Sequence, residues 1–266
     1  MEQNKQRIVV KVGTSTLTHD SGALDLRSME RLVRTLADLQ GAGNEVILVT
    51  SGAIAVGTAK LGLAERPREL RMKQAAAAVG QCRMMHIYDK LFSEYNRTVA
   101  QILLTGDDVD DPDRAEHLSG TFSALLEMGT IPIVNENDSV SSAEIETGHH
   151  KVLGDNDTLS AIVAKLCRAD LLVLLSDIDG LYDADPRSHP DARLIHQVRE
   201  LTPQILEMAG GAGSWRGTGG MATKLSAAGI AMGAGCDMVI TNGKRTEDLY
   251  GIVEGADIGT RFLAAR

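Results

Sequence analysis

Aromatic side chains are scarce in this chain: three Phe, four Tyr and one Trp, 3% of 266 residues. A core without large rings must be assembled from Val, Ile, Leu, Ala and Met, and 43% hydrophobic residues are enough to build a substantial one. Cysteine is rarer still. Cys82, Cys167 and Cys236 lie far apart in no paired motif, which excludes a disulfide scaffold or a Cys-based zinc site and fits a reducing compartment. No apolar run approaches the ~20 residues that span a bilayer. The N-terminal Met-Glu-Gln-Asn-Lys-Gln-Arg leads into the first apolar run without a signal-like region. An excess of basic residues is missing too. A net charge of −9 argues against a general nucleic-acid binder, although an anionic substrate can still meet a local cationic pocket. The expectation is a cytoplasmic protein with neither nucleic acid nor membrane as partner.

What is present is a series of short, β-branched apolar runs, each ending in small or polar residues. The first, Ile8 to Thr16, reads Ile-Val-Val-Lys-Val-Gly-Thr-Ser-Thr. It has the character of a strand buried on both faces, and Lys11 interrupts it. An ammonium group in a buried strand needs a strong partner. A ligand phosphate at the strand's carboxyl end supplies one, since open parallel sheets bind ligands there. The alternative is an edge-strand Lys that snorkels to water beside an ordinary Gly-Thr-Ser turn.

The rest of the chain continues the pattern. Asp25 to Gln40 has helical spacing (Met29, Leu32, Val33, Leu36, Leu39), and Val46 to Val49 follows as a strand, a parallel β-α-β unit. Pro67 opens a long helical segment to about Tyr95, whose predicted apolar face is Met72, Ala75, Val79, Cys82, Met85, Tyr88 and Leu91. That face packs either in the core or across a dimer seam. Further strands are expected at Val99–Leu104, Ile131–Val134, Leu171–Leu175, Asp237–Ile240 and Gly259–Phe262. Helices are expected up to about Met128, from Gly154-Asp-Asn-Asp157 onward, near Gln204–Met208, up to about Met232 and at Thr246–Val253. The acidic stretch Asp107 to Asp113 lacks the Gly and terminal Glu of a calcium loop and reads as a solvated loop with a helix cap at Pro112. His149-His150 reads as solvated, with metal binding the minority alternative. No repeat or linker is evident, and one α/β domain accounts for the length.

Five apolar strands end in ligand-type clusters: Gly13-Thr-Ser, Ser51-Gly52, Asn135–Asp138, Ser176-Asp177 and Thr241-Asn242. From one parallel sheet they would line a single rim, where helix N-termini also point N–H groups outward and anions are held. Gly210 to Gly220 leads into Met221-Ala-Thr-Lys224. Gly217, Gly219 and Ala222 fit a loose dinucleotide fingerprint, but no strand precedes them, and no Walker A loop is spelled anywhere. A phosphate-covering loop or a hinge remains. In Gly154-Asp-Asn-Asp157 one acid is explained by helix capping; two acids flanking Asn suggest metal, lysine or ammonium partners. If the acceptor is a carboxylate, ionised at neutral pH, two lysines and Mg²⁺ could transfer a phosphoryl group without a catalytic base.

Six motifs in register, Val10-Lys-Val-Gly-Thr-Ser15, Val49-Thr-Ser-Gly-Ala53, Pro132-Ile-Val-Asn-Glu-Asn-Asp138, Gly154-Asp-Asn-Asp157, Asp179-Gly-Leu-Tyr182 with Asp185-Pro-Arg187, and Gly217-Thr-Gly-Gly-Met-Ala-Thr-Lys224, resemble the glutamate-phosphorylating members of the amino-acid kinase family over essentially the whole chain. The resemblance implies a three-layer α/β/α sandwich with a mainly parallel central sheet. It implies ATP-dependent phosphorylation of the glutamate side-chain carboxylate, the first step towards proline, with Mg²⁺ accompanying the nucleotide and proline as a feedback inhibitor. By motif, Lys11 and Lys224 would stabilise the transferring phosphoryl group and Asp157 would hold them. Ser51, Asp138 and Asn156, with Asn135 and Asp155 nearby, would bind glutamate. Lys11, Gly13, Ser176, Asp177 and the loop Thr218-Gly219-Gly220-Met221-Ala222-Thr223-Lys224 would hold ATP. No metal ligand is assigned. The family also implies a homo-oligomer, dimer or tetramer. Many members carry a C-terminal PUA module, whereas this chain, ending at Arg266, is expected to be the short form, a single kinase domain.

Competing expectations are a kinase of the same fold acting on acetylglutamate, aspartate or a nucleoside monophosphate, a nicotinamide-dependent oxidoreductase, and a non-catalytic sensor of amino acid and nucleotide.

Overall fold

The apolar runs become the centre of one sheet. A computed structural model of the chain describes residues 5–140, 155–208 and 220–265. In chain order these form β1 (Arg7–Val12), α1 (Thr14–Leu17), α2 (Leu26–Gly41), β2 (Glu45–Val49), α3 (Ala53–Lys60), α4 (Leu70–Ser93), β3 (Val99–Leu104), α5 (Gly106–Asp110), α6 (Pro112–Glu127), β4 (Ile131–Glu136), α7 (Asn156–Leu166), β5 (Leu171–Ser176), β6 (Gln197–Val198), α8 (Pro203–Met208), α9 (Met221–Gly233), β7 (Asp237–Asn242), α10 (Asp248–Val253) and β8 (Thr260–Phe262). The expected strands are all present, with ends within two residues of the expected ones.

The strand order is β3-β4-β2-β1-β5-β7-β8-β6. Every pairing from β3 to β7 is parallel; β8 runs antiparallel to β7 and pairs in parallel with β6. The two-residue period of a strand sorts β1 onto two faces. Ile8, Val10 and Val12 join an apolar cluster with α2, α3, α4 and α10. Val9 joins a second cluster with α6, α7 and α9, so Lys11 is directed to that second side. The result is a three-layer α/β/α sandwich with its sheet buried on both faces, as near-continuous apolar strands require.

The α4 face differs from the expected one. Ala76, Ala77, Gly80, Gln81, Met84, Ile87, Tyr88 and Phe92 are buried, whereas Met72, Ala75 and Cys82 are exposed. The helix is turned by about one residue relative to the sequence reading. The reason is α3, which the sequence did not reveal because half of Ala53 to Lys60 is Ala or Gly and the segment carries little periodicity. The helices α3 and α4 cross with their backbones in contact. An added Cβ would lie 1.7 Å from the Ala76 carbonyl oxygen at Gly57, and 1.8 Å from the Ala53 carbonyl oxygen at Gly80. Glycine is demanded here by close approach, and that crossing sets the rotation of α4.

Two smaller corrections follow from capping. Asp107 to Asp113 is not a loop throughout: Thr105 and Asp108 form a capping box that starts α5, and Asp111 caps α6 through the N–H groups of Asp113 and Arg114 at 3.0 Å. The α4 segment begins at Leu70 rather than Pro67, and α10 at Asp248 rather than Thr246. The short elements α1 and β6 had no legible signal. His149-His150 and the glycine cluster up to Gly219 lie outside the described residues.

If the α3–α4 crossing is steric, Gly80→Ala destabilises the protein by about 3 kcal/mol, the upper range of overpacking. In contrast Gly120→Ala, on an exposed turn of α6 with open space around it, gains about 0.5–1 kcal/mol of stability. Chemical denaturation of the two variants checks both signs.

Candidate active site at the strand carboxyl ends

The strands β4, β2, β1, β5 and β7 are adjacent and mutually parallel, so all five ligand-type clusters reach one rim of the sheet. What lies on either side of that rim follows from which face each residue takes.

On the α7/α9 side, Lys11 and Lys224 meet at Asp157. Asp157 stands in the first turn of α7, just after the cap that Asp155 provides by accepting from Thr158 N at 2.9 Å. Lys224 stands in the first turns of α9, and α9 packs against α7. Lys11 Nζ is 2.7 Å from Asp157 Oδ1, an ion pair without well-aligned hydrogen-bond geometry. Lys224 Nζ donates to Asp157 Oδ2 at 2.9 Å, and Thr223 Oγ1 donates to the same oxygen at 3.2 Å. The three charged side chains are only 12%, 7% and 2% exposed for Lys11, Lys224 and Asp157. Burial alone would push the Asp157 carboxyl up; the two ammonium groups win and hold it below the usual carboxylate range. The cluster is therefore ionised, with one cation in excess, in a setting where a charge is poorly screened. An anion placed beside it is attracted. Gly13 leaves the space next to this ammonium open, since a Cβ there would be 3.6 Å from Lys11 Nζ.

On the α3/α4 side, the rim forms a polar pocket of about 170 Å³ lined by Thr14, Gly52, Arg66, Asn135, Asp138 and Asn156, with the first residues of α3. Asn135 is on the same face of β4 as Ile131 and Ile133, so its amide reaches α4 and donates to Gln81 Oε1 at 2.9 Å. Asn156 Nδ2 donates to Asn135 Oδ1 at 3.0 Å and to the Thr50 carbonyl oxygen at 2.6 Å. The Thr50 and Tyr88 hydroxyls hydrogen-bond at 2.9 Å. Burial pushes the Tyr88 phenol well up, and it acts as a neutral strut. Ser51 Oγ donates to the Val12 carbonyl oxygen at 3.1 Å and accepts from Thr14 Oγ1 at 3.3 Å, tying the β1 and β2 ends together. Gly52, at φ 101°, turns the chain left-handed into α3, whose first N–H groups have no intrahelical partner.

Asp138 is the titratable group of this pocket. Burial, reinforced by Glu136, pushes its carboxyl up to about 6 against the opposing pull of Arg66. It is charged at neutral pH and short of a cation.

On the β5 side, Ser176 Oγ donates to Asp177 Oδ1 at 3.2 Å, and Asp177 is exposed at the rim, 3.7 Å from Arg187 Nη2. Asn242, at the end of β7, donates to Asp179 Oδ1 at 2.9 Å, which also accepts from Arg245 Nη2 at 2.9 Å. That strand end holds its neighbours together. Gly220, Met221, Ala222 and Thr223 form the start of α9, with Gly220 at the cap position. Thr218 and Gly219 lie outside the described residues.

Among the described residues no group of three His, Cys, Asp or Glu side chains is arranged for a metal ion. Mg²⁺ bound with a nucleotide needs only one or two carboxylates, because water and phosphate fill the rest of its shell. Asp155 Oδ2, buried without a hydrogen-bond partner among the described residues, offers one such oxygen, so the donor set fits that mode and no denser one.

Of the sequence-predicted residues, Lys11, Asp157 and Lys224 are thus brought together in one group and Asn135, Asp138 and Asn156 in another, with Asn156 beside Asp157 joining them. Ser176 and Asp177 stand apart at the end of β5, and Thr218 and Gly219 lie outside the described residues. Arg66, Gln81, Thr50 and Tyr88 were missed. Arg66 and Gln81 sit in segments whose sequence signals were overwhelmingly helical or loop-like. A hydroxyl just past a strand, as at Thr50, is too common to single out.

A buried two-lysine cluster at the rim of a three-layer sandwich narrows the class, and comparison with known proteins places the chain in a family. The amino acid kinase family model matches residues 6–242, and the chain belongs to that family. The glutamate 5-kinase of Clostridium perfringens is 53% identical over 264 residues, 99% of this chain and 97% of that protein. The glutamate 5-kinase of Listeria monocytogenes is 51% identical over 99% of this chain and 95% of its own length. In structure, the carbamate kinase of Giardia lamblia bound to AMP-PNP superposes with a TM-score of 0.65 at 17% identity, covering 100% of both chains. The isopentenyl phosphate kinase of T. acidophilum does so with a TM-score of 0.64 at 17% identity, covering 96% of this chain and 99% of that one. These two likenesses carry the fold. Among the described residues no helix is long and apolar enough to cross a membrane.

The raised Asp138 carboxyl makes the pocket pH-sensitive. An ammonium ligand binds the ionised form, so its apparent affinity for the free protein falls as pH drops through about 6. Stability responds with the opposite sign. Between the ordinary value of 3.8 and about 6 the folded protein holds the proton more tightly than the unfolded chain, so burial of the charge penalises folding fully only above that window. Asp138→Asn is expected to raise Tm at pH 8 and to match the unaltered protein below pH 4, as calorimetry across that range would read.

Proposed function

We propose that this protein transfers the γ-phosphoryl group of ATP to the side-chain carboxylate of L-glutamate, giving γ-glutamyl phosphate and ADP, the first step towards proline. The observation that carries the reading is the Lys11–Asp157–Lys224 cluster at the rim, directly beside a pocket whose carboxylate, Asp138, needs a cation.

The roles follow from charge. A glutamate side chain is ionised at neutral pH (pKa about 4.3), so its oxygen attacks the γ-phosphorus with no base, and the bond from that phosphorus to the β–γ bridging oxygen breaks as ADP leaves. The obstacle is repulsion between the two anions. Lys11 and Lys224 lower it by facing the equatorial oxygens, where charge gathers in the transition state. Asp157 fixes both lysines in advance and removes the mutual repulsion that would otherwise part them. Asp138 receives the substrate ammonium, while Ser51, Asn135 and Asn156 shape the pocket in which the carbon chain lies. Gly13, Ser176, Asp177 and the segment from Thr218 to Lys224 form the nucleotide side. Mg²⁺, held by the nucleotide's phosphates with Asp155 as protein ligand, would supply further charge neutralisation. The reading also carries a cytoplasmic location, a dimer or tetramer, and inhibition by proline, whose own ammonium and carboxylate suit the glutamate pocket.

The function is tested by coupled ADP release with L-glutamate, acetylglutamate, aspartate and a nucleoside monophosphate, each with and without proline. Glutamate alone is expected to be turned over; acetylglutamate has no ammonium for Asp138, and its use in place of glutamate would overturn the reading. In the same assay Lys11→Ala and Lys224→Ala lower kcat at least 10²-fold, roughly 3 kcal/mol of transition-state stabilisation. Nucleotide affinity, followed by equilibrium titration, changes by less than about tenfold. Near-normal turnover in either variant removes its assigned role.

A further inference from the structure

We infer that Gln81 is a positioning residue for the acceptor substrate. Acting through Asn135, it sets the direction of the Asn156 amide, so that the carbonyl oxygen of Asn156, and not its NH₂ group, is presented to a ligand in the 170 Å³ pocket. The inference rests on the glutamate reading, in which that ligand carries an ammonium group. Asp138 supplies the opposite charge; Gln81 decides how the neutral groups beside it are turned.

An asparagine or glutamine amide has a donating and an accepting end of nearly the same shape, so its partners decide its direction. Here the decision starts at the backbone. The Thr50 carbonyl oxygen can only accept, which makes the Asn156 atom 2.6 Å from it the nitrogen Nδ2. The same nitrogen donates to Asn135 at 3.0 Å, so Asn135 faces it with Oδ1. Asn135 must then turn Nδ2 the other way, where Gln81 Oε1 accepts it at 2.9 Å. With Asn156 Nδ2 committed to two acceptors, Oδ1 is the end of that amide left for a ligand in the pocket it lines. An oxygen accepts from an ammonium group; an NH₂ group in its place would set donor against donor.

The chain of amides ends at Gln81, which is buried and whose own Nε2 has no hydrogen-bond partner among the described residues. A methionine would fill the same space without an unsatisfied donor, so the amide is explained by the acceptor it gives Asn135 and not by packing. Its backbone is a firm base, because the neighbouring Gly80 lies against the Ala53 carbonyl oxygen at the α3–α4 crossing. Asn135 is buried as well. Without Gln81 Oε1 its Nδ2 would be an unsatisfied buried donor; the side chain would turn to a new partner and release Asn156, whose oxygen would no longer be aimed.

The test reads kcat, the KM for L-glutamate, the KM for ATP and the inhibition constant of glutarate, the same dicarboxylate without the ammonium group. It compares the unaltered protein with Gln81→Met, Gln81→Leu, Asn135→Ala and the double variant Gln81→Met with Asn135→Ala. Gln81→Met and Gln81→Leu should raise the glutamate KM by about tenfold, the lower range for a hydrogen bond to a charged group. The glutarate constant, kcat and the ATP KM should stay within about threefold, since neither the lysines nor the nucleotide side is touched. Because Gln81 acts through Asn135, adding Gln81→Met to Asn135→Ala should change the glutamate KM by less than about twofold. A merely structural Gln81 would shift glutamate, glutarate, ATP and kcat together, or its effect would multiply with that of Asn135→Ala; either result overturns the inference, as does loss of folding in both single Gln81 variants. Failure of the unaltered protein to phosphorylate glutamate would instead overturn the functional reading, and this inference with it.

Discussion

One carboxylate pinned between two ammonium groups is the constraint on which the rest of the structure depends. Lys11 comes from the central strand, Asp157 from the start of α7 and Lys224 from the start of α9. Each of the three is nearly enclosed, and none could be buried alone without a large desolvation cost. Removing Asp157 would leave two like charges facing each other; removing a lysine would leave a neutral pair and abolish the excess positive charge. The packing of α7 against α9, and of both against β1, must therefore be accurate for the charges to balance. The same accuracy leaves a defined excess of positive charge at the rim.

The sheet separates two tasks. Odd-numbered positions of β1 face α7 and α9, where charge is gathered for a phosphoryl group. Thr50 and Asn135 face α3 and α4, where Gln81 and Tyr88 hold them. Asn156 passes between these sides, bonding to Thr50 and Asn135 while its chain neighbour Asp157 takes the lysines. Donor and acceptor can thus approach the same rim from opposite faces. The close α3–α4 crossing made by Gly57 and Gly80 belongs to this arrangement, because it fixes where the start of α3 and the amide of Gln81 lie relative to the pocket.

Much of this was legible beforehand, for identifiable reasons. Strands buried on both faces are continuous apolar runs, so β1, β2, β3, β4, β5 and β7 were found nearly to their ends. Asp155 and Asp157 were suspected because capping needs one acid and two were present; the structure gives Asp155 the cap and Asp157 the lysines. The α4 face was misread because Ala75 to Gly80 is nearly uniform in hydrophobicity, and a helix without contrast has no preferred side until a neighbour selects one. Arg66 was passed over because an arginine in a charged connection looks like any solvated residue.

The sequence by itself determined the layered α/β architecture, the parallel sheet and the residue types gathered at its edge, since local periodicity and chain punctuation depend only on neighbours in the chain. The tertiary structure alone decided that Lys11 and Lys224, more than two hundred residues apart, share one carboxylate. It alone decided that Asn156 joins the two faces, and that Arg66 looks across a pocket at Asp138. Those pairings depend on strand order and on the rotation of packed helices, and both are set by contacts between distant segments.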